Sequence, residues 1–146
     1  MMRFAAGVEY DGTAYSGWQI QAHAPSVQAH VERALSLVAA HPLSVVAAGR
    51  TDAGVHASHQ VIHFDTQARR SQHGWLLGGN VHLPADINRY GCVRSPAIFT
   101  PASAPALADI VISFSIAVRA PRYTVIGHAG TIIHLMPRPW RKGPPG

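Results

Sequence analysis

The sequence is poor in cysteine and in long apolar runs, and both shortages limit what the chain can be. Its single cysteine, Cys92, can form no internal disulfide, which is typical of a protein from a reducing compartment. The longest apolar candidate, residues 110–118, is too short to span a membrane and contains two serines. Near the N-terminus, Glu9 and Asp11 interrupt the apolar run too early for a signal peptide. We therefore expect a cytoplasmic protein with no membrane association.

The sequence also lacks the patterns that hold nucleotides and metals. It contains no glycine-rich phosphate-binding loop of the P-loop type. His59 and His63 would share one face of a strand, but no cysteine or paired acid joins them. We expect neither a cofactor nor a metal ion.

Acidic residues are scarce and unevenly distributed. The formal net charge is +5 and the pI is near 10.1, which suits an acidic partner such as RNA. Residues 1–87 contain five Arg and Lys, six Asp and Glu, and three Pro, whereas residues 88–146 contain seven, one and eight. A shift of this kind is typical of a boundary, here near Ile87, between a folded segment and a linker or tail.

The spacing of apolar residues before this boundary predicts a mixed α+β order. Ser26 is a candidate helix cap, because apolar residues follow it at helical spacing as far as Ala40. The predicted strands are residues 3–10, 43–48 and 58–65, with a short helix at 75–79 and a lead into a fourth strand at 80–87.

The most informative motif is Gly-Arg-Thr-Asp-Ala-Gly-Val-His at residues 49–56. Its two glycines allow a tight turn that places Arg50 and Asp52 at the rim of a sheet. Arg50 would keep Asp52 ionised, ready to act as a nucleophile or a base. A tight turn with a surface ion pair is the alternative interpretation.

Further motifs flank this loop in a fixed order. They are Tyr10-Asp11-Gly12-Thr13, Tyr15, Gly17-Trp18-Gln19 and Val27-Gln28 before it, and Gln60-Val61, His63-Phe64-Asp65-Thr66, Trp75, Gly79-Asn80 and Leu83-Pro84 after it. Together with GRTDAGVHA, they resemble the tRNA pseudouridine synthase A family from about Met2 to Ile87. The resemblance implies that residues 1–87 are a ferredoxin-like β-α-β-β half of that family's catalytic domain. It also implies tRNA as the substrate and a homodimeric enzyme.

The resemblance further implies an isomerase that converts uridine to pseudouridine in the anticodon arm of tRNA. Asp52 matches the catalytic aspartate, the candidate nucleophile, and attack at uracil carbon 6 or action at the sugar both stay open. Arg50 matches the family's arginine, which would hold Asp52 ionised and fill the stack vacated by a flipped nucleotide. The candidate RNA-contacting residues are Tyr10, Asp11, Tyr15, Thr51, His56, Arg69 and Arg70.

Five of these candidates have a plainer interpretation. A place in the core is the alternative for Tyr10 and is favoured for Trp18. A loop-stabilising role is at least as well supported for Thr51 and His56. Arg69 and Arg70 are equally expected to form a solvated surface pair.

Residues 88–146 do not follow the family pattern in the frame as read. The family continues with F-H-A-R-F-S-A and then R-R-Y-R-Y, which includes an active-site tyrosine. If each codon begins at the third base of a present one, Ala97 onwards permits D-F-H-A-R-F-S-A-R-S-R-R-Y-R-Y, and residues 131–136 permit D-H-P-L-D. This pattern suggests a single-base insertion or deletion near residues 86–88, with an out-of-frame tail. A divergent, proline-rich extension is the alternative.

Three functions remain open for the polypeptide itself. It is an RNA-modifying isomerase by family, but with only the first half of the domain in frame we expect no turnover. A non-catalytic RNA-binding fragment is the second possibility, and a non-functional pseudogene product is the third.

Overall fold

The computed structural model describes residues 1–95, which form one four-stranded antiparallel sheet and two α-helices. The elements are β1 (Met2–Tyr10), α1 (Val27–Ala39), β2 (Val46–Ala47), β3 (Ala57–Thr66), α2 (Gln72–His82) and β4 (Ile87–Ser95), with a short 3₁₀ turn at Gly12–Ala14. The order across the sheet is β2-β3-β1-β4. This is the βαββαβ arrangement of ferredoxin-like folds, so the predicted fold class is confirmed. The irregular tail expected after the boundary lies largely outside the described residues.

The first strand is central in the sheet. β1 pairs antiparallel with β3, where Met2 lies opposite Thr66 and Val8 opposite Gln60. On its other edge it pairs antiparallel with β4, where Tyr10 lies opposite Ile87. Because both edges of β1 are paired, the point at which the chain leaves it after Tyr10 is firmly placed.

The core lies between the sheet and the two helices. Helix α1 begins after Ser26, whose side chain accepts a hydrogen bond from the Ala29 N–H, as the sequence predicts. The core residues of α1 include Val27, Val31 and Leu35. Trp75 of α2 completes an aromatic cluster with Phe4 and Phe64, and the ring centroids are 5.1–5.7 Å apart. No helix among residues 1–95 is long and apolar enough to cross a membrane.

The second strand is shorter than predicted. The sequence indicates a strand over residues 43–48, but the strand is confined to Val46–Ala47, followed by one further bond from the Ala48 N–H to the Val61 carbonyl of β3. Two backbone donors that precede Val46 bond instead to side chains of α1: the Leu43 N–H donates to Ser36 Oγ at 2.8 Å, and the Val45 N–H to Glu32 Oε1 at 2.9 Å. These helix acceptors compete with the sheet and draw the chain away from β3.

The second helix is longer than predicted. It covers Gln72–His82 rather than residues 75–79, and residues 80–82 are helical instead of leading into a strand. Glycines at 74, 78 and 79 weaken the local helical signal. Burial of Trp75 and the cap supplied by Ser71 outweigh that weakness.

One charged residue occupies a core position of β4. Arg89 is 2% exposed, and its NH1 donates to the Trp75 carbonyl at 2.9 Å. Its Nε and NH2 have no hydrogen-bond partner. Burial lowers the pKa of the Arg89 guanidinium, and the neighbouring Cys92 thiol acts in the opposite direction. A buried cation without a carboxylate partner is unfavourable, so this residue does not fit the position it occupies.

We predict that Arg89→Leu stabilises the chain by about 1–4 kcal/mol, because it replaces unsatisfied buried donors with an apolar side chain. Urea unfolding followed by circular dichroism measures the change. Arg94→Leu is the control, because Arg94 is exposed on the same strand and should change the free energy of unfolding very little. A lower unfolding midpoint for Arg89→Leu would contradict the assignment.

We also predict that Ser26→Ala lowers the free energy of unfolding by about 1 kcal/mol, because the Ala29 N–H loses its acceptor. The same urea titration checks this. Ser44→Ala, at an exposed position outside both helices, should leave the midpoint within error.

Candidate active site

The motif predicted from the sequence forms the connection between β2 and β3. Within it, the side chains of Arg50 and Asp52 are exposed at the surface. Gly54 has φ +76°, a left-handed conformation that a side chain would strain, so the second motif glycine is required for the turn. At the start of the loop, the Gln60 side-chain amide donates to the Gly49 carbonyl.

The expected pairing of Arg50 with Asp52 is not present. No salt bridge joins the two side chains in the described part of the chain, and the Asp52 carboxylate accepts no hydrogen bond there. The structure therefore gives Arg50 no role in holding this carboxylate before RNA is bound. Its assignment to catalysis stays a prediction.

Two other carboxylates belong to the same end of the sheet, and both are engaged. Asp11 accepts bonds from the Thr13 N–H at 3.0 Å and the Thr13 hydroxyl at 2.6 Å, and His56 Nδ1 lies 3.0 Å away. The Thr13 hydroxyl is the main reason that the pKa of Asp11 is lowered. Asp86 accepts a 2.6 Å bond from the Tyr15 hydroxyl. Asp52 thus differs from both neighbours in having its oxygens free of protein donors.

The loop packs against the segment that follows β1. The Tyr10 hydroxyl and Thr51 Oγ1 are 2.7 Å apart, and the Trp18 N–H donates to the Thr51 carbonyl at 3.0 Å. Beyond Asp52, the Gly54 N–H donates to the Tyr15 carbonyl at 3.2 Å. The Gly12 N–H donates to His56 Nδ1 at 3.1 Å.

Several predicted RNA-contacting side chains point inward. Tyr10 is 1% exposed and Trp18 is 2% exposed, so both belong to the core, as the alternative interpretation held for Tyr10 and favoured for Trp18. Tyr15 and Thr51 are also buried, at 7% and 8% exposure. Of the candidates near Asp52, Asp11 and His56 keep accessible surface.

The two candidate arginines before α2 are not brought to this loop. Arg69 and Arg70 follow Thr66, which pairs with Met2 at the end of β1 opposite Tyr10. At about 3.3 Å per residue, the length of β1 separates these ends by roughly 26 Å. Arg70 Nε also donates to the Val38 carbonyl at 3.2 Å near the end of α1, which is a structural contact.

Sequence reasoning did not assign roles to Asp86 and Gly12. Asp86 receives the Tyr15 hydroxyl bond, and its carbonyl accepts from the Asp11 N–H at 2.9 Å. A Cβ on Gly12 would lie 2.0 Å from the Val55 carbonyl oxygen, so only glycine fits there. The sequence signal for these two residues was their position: Gly12 lies within the motif Tyr10-Asp11-Gly12-Thr13, and Asp86 lies two residues after Leu83-Pro84. Among residues 1–95, no cluster of three or more metal-binding side chains occurs.

The ferredoxin-like sheet, with an accessible aspartate in a clamped loop at one end, defines a candidate catalytic domain without a metal cluster in its described part. A family model described as tRNA pseudouridine synthase matches residues 6–93. The chain belongs to this family.

Curated relatives called tRNA pseudouridine synthase A agree with this membership. The chain is 50% identical to the Shewanella amazonensis protein over 127 residues, which cover 87% of the chain and 44% of that relative. It is 60% identical to the Coxiella burnetii protein over 88 residues, covering 60% of the chain and 34% of the relative. For the Aeromonas salmonicida protein the identity is 62% over 86 residues, covering 59% and 32%. The chain thus matches less than half of the length of these relatives.

We predict that Gly12→Ala destabilises the chain by about 1–3 kcal/mol, because the added methyl group meets the Val55 backbone rather than a flexible side chain. Thermal unfolding measures the loss. Gly74→Ala is the matched control, because the nearest atom there is Ser71 Oγ at 3.1 Å and alanine favours the helix. Equal losses at the two positions would show that the close approach at Gly12 is not the cause.

Proposed function

We propose that this chain carries the catalytic aspartate of a tRNA pseudouridine synthase and that this residue is Asp52. The observation that carries the proposal is the free carboxylate of Asp52 on a loop whose neighbouring residues are bonded to the core. A carboxylate without competing donors keeps its lone pairs available for attack on a base or a sugar. Membership of the synthase family supports the same assignment.

The reaction breaks the bond between ribose and uracil N1, turns the base, and joins ribose to carbon 5. The hydrogen on carbon 5 is released, and no electron acceptor is needed. The target uridine must leave its stack to reach a carboxylate at the protein surface. Arg50 is exposed two residues from Asp52, and we assign it to the space that the flipped nucleotide vacates.

The accessible side chains at this end of the sheet are the ones that can contact RNA near Asp52. We propose Asp11, through its exposed oxygen surface, and His56 as neighbours of the bound nucleotide. Arg69 lies too far along the sheet to meet the same nucleotide, so any phosphate it contacts belongs to another part of the tRNA. Action in the anticodon arm, assembly as a homodimer and location in the cytoplasm complete the proposal.

A second proposal concerns residues 88–146, which we assign to a shifted reading frame that begins near residues 86–88. Arg89 supports it, because a cation without a carboxylate partner among the described residues occupies a core position of β4. In the shifted frame, the codon that overlaps Arg89 and Tyr90 ends in TA and encodes Leu, Ile or Val. The codon that overlaps Gly91 and Cys92 ends in TG and encodes Leu, Met or Val. Apolar residues two apart are what a half-buried strand requires.

An RNA-binding fragment without turnover is the competing function for the polypeptide as read. The sequence of residues 88–146 contains no R-x-Y-x-Y segment, so the tyrosine implied by the family resemblance is absent from it. Basic residues for phosphate contacts remain, and the binding they give should weaken steeply with salt. A product without function would show neither turnover nor cooperative unfolding.

We predict that tRNA labelled with tritium at uracil carbon 5 releases tritium to water only when the shifted frame is restored. The genomic DNA is first resequenced across codons 83–91, and the chain is then produced both as read and with one base inserted near codon 88. Asp52→Ala in the frame-restored protein should abolish release, a loss of at least about 1,000-fold, while tRNA binding persists. Release by the 146-residue chain would contradict the second proposal.

The control for this experiment is Asp65→Asn, which removes one negative charge at the other end of the sheet. Asp65 forms a two-pronged ion pair with Arg3, at 2.6 and 2.7 Å, far from the Asp52 loop. This variant should lose some stability but keep its turnover. Turnover that survives Asp52→Ala would overturn the catalytic assignment.

A further inference from the structure

The Asp52 loop must be held rigid, but contacts among its own residues are too few to hold it. It has no regular secondary structure between β2 and β3 beyond a tight turn in which the Val55 N–H donates to the Asp52 carbonyl at 3.2 Å. A nucleophile has to be held within a fraction of an ångström of its productive position. The rigidity must therefore come from contacts outside the loop.

On the N-terminal side of Asp52, the contact is a buried pair of hydroxyl groups. Thr51 Oγ1 and the Tyr10 hydroxyl are 2.7 Å apart, and both residues are less than 10% exposed. The Tyr10 ring packs against Trp18 with centroids 5.9 Å apart, which fixes its direction. Burial raises the pKa of Tyr10 to about 12, so the phenol stays protonated at neutral pH.

On the C-terminal side, the contacts are made by the backbone. The Gly54 N–H donates to the Tyr15 carbonyl, and the Gly12 N–H donates to His56. In each of these contacts the partner of the loop residue belongs to residues 10–18, the segment that leaves the central strand β1. We call residues 10–18 the template segment.

We propose that the template segment sets the position of the Asp52 carboxylate and that Tyr10 is a positioning residue, acting through Thr51. The Tyr10 hydroxyl touches neither Asp52 nor a position open to RNA, because it is buried and bonded to the residue that precedes Asp52. Its effect on the reaction is transmitted through one peptide unit. This inference rests on the proposed role of Asp52.

A purely structural role would make the Tyr10 hydroxyl one stabilising bond among many. The chain offers a matched comparison, since the Tyr15 hydroxyl donates a bond of similar length, 2.6 Å, to Asp86. That bond joins the template segment to the residue before β4 and does not touch the Asp52 loop. Removing each hydroxyl in turn separates loop positioning from general stability.

The experiment compares Tyr10→Phe with Tyr15→Phe in the full 146-residue chain by backbone ¹⁵N relaxation. We expect the amides of Thr51, Asp52 and Ala53 to fall from rigid order parameters of about 0.85 to below about 0.6 in Tyr10→Phe only. In the frame-restored enzyme, Tyr10→Phe should lower kcat about 10- to 100-fold without changing KM. Asp65→Asn, at the other end of the sheet, should leave both constants unchanged.

Variants of Thr51, the hydrogen-bond partner of Tyr10, keep the inference testable if Tyr10→Phe does not fold. Thr51→Val keeps the side-chain shape but removes the hydroxyl, so it should reproduce Tyr10→Phe, whereas Thr51→Ser keeps the hydroxyl and should behave as the unaltered chain. Equal loosening by Tyr10→Phe and Tyr15→Phe, or no loosening by Tyr10→Phe and Thr51→Val, would overturn the inference. The order parameters do not depend on turnover. If they change as expected while Asp52→Ala keeps its activity, the catalytic assignment is wrong and the positioning contact stands.

Discussion

The site depends on the close approach between the chain leaving β1 and the chain entering β3. β1 is paired along both edges, so the backbone after Tyr10 starts from a fixed point. Gly12 then passes so near the Val55 carbonyl that no side chain fits between them. Because two backbone segments can approach this closely only with glycine, this single contact determines where the turn containing Asp52 lies. The hydrogen bonds of the template segment to Thr51, Gly54 and His56 then hold the loop in that place.

Chemical selectivity at this end of the sheet arises from how donors are distributed among the acids. Thr13 engages Asp11, and the Tyr15 hydroxyl engages Asp86. Each bond stabilises an ionised carboxylate but occupies the lone pairs that a nucleophile needs. The Asp52 carboxylate accepts no such bond: the Thr51 hydroxyl is paired with Tyr10, and the Gly54 N–H donates to the Tyr15 carbonyl. The same fold therefore engages two acids and leaves the carboxylate of the third, Asp52, free for the catalytic role that we propose.

The sequence predicted features that local patterns specify and missed those decided by distant residues. Helix α1 and strand β3 have clear periods, and the structure places both close to the predicted bounds. The shortening of β2 depends on Glu32 and Ser36, side chains of another element, so no local pattern around residues 43–48 contains it. The loop of Asp52 was predicted from its glycines and its motif. The inward direction of Tyr10 and Tyr15 was not settled, because a tyrosine beside a site is equally suited to bind a base or to position a loop.

Residues 1–87 are consistent at each level, since their caps, apolar faces, turn glycines and buried contacts favour one fold. Consistency of this kind is what makes a sequence specify a structure, and its violations are expected at functional sites. Arg89 also breaks this consistency, but it lies outside the candidate active site. It lies beneath α2 against Trp75 and Gly79, where a Cβ on Gly79 would come 2.1 Å from the guanidinium NH1. Among residues 1–95, its hydrogen bonds outside the sheet are made with Asn80 and Trp75 and not with the Asp52 loop. A reading frame that supplies Leu, Ile or Val at this step would replace the buried charge with an apolar side chain, which is why the misfit supports the frame shift that we propose.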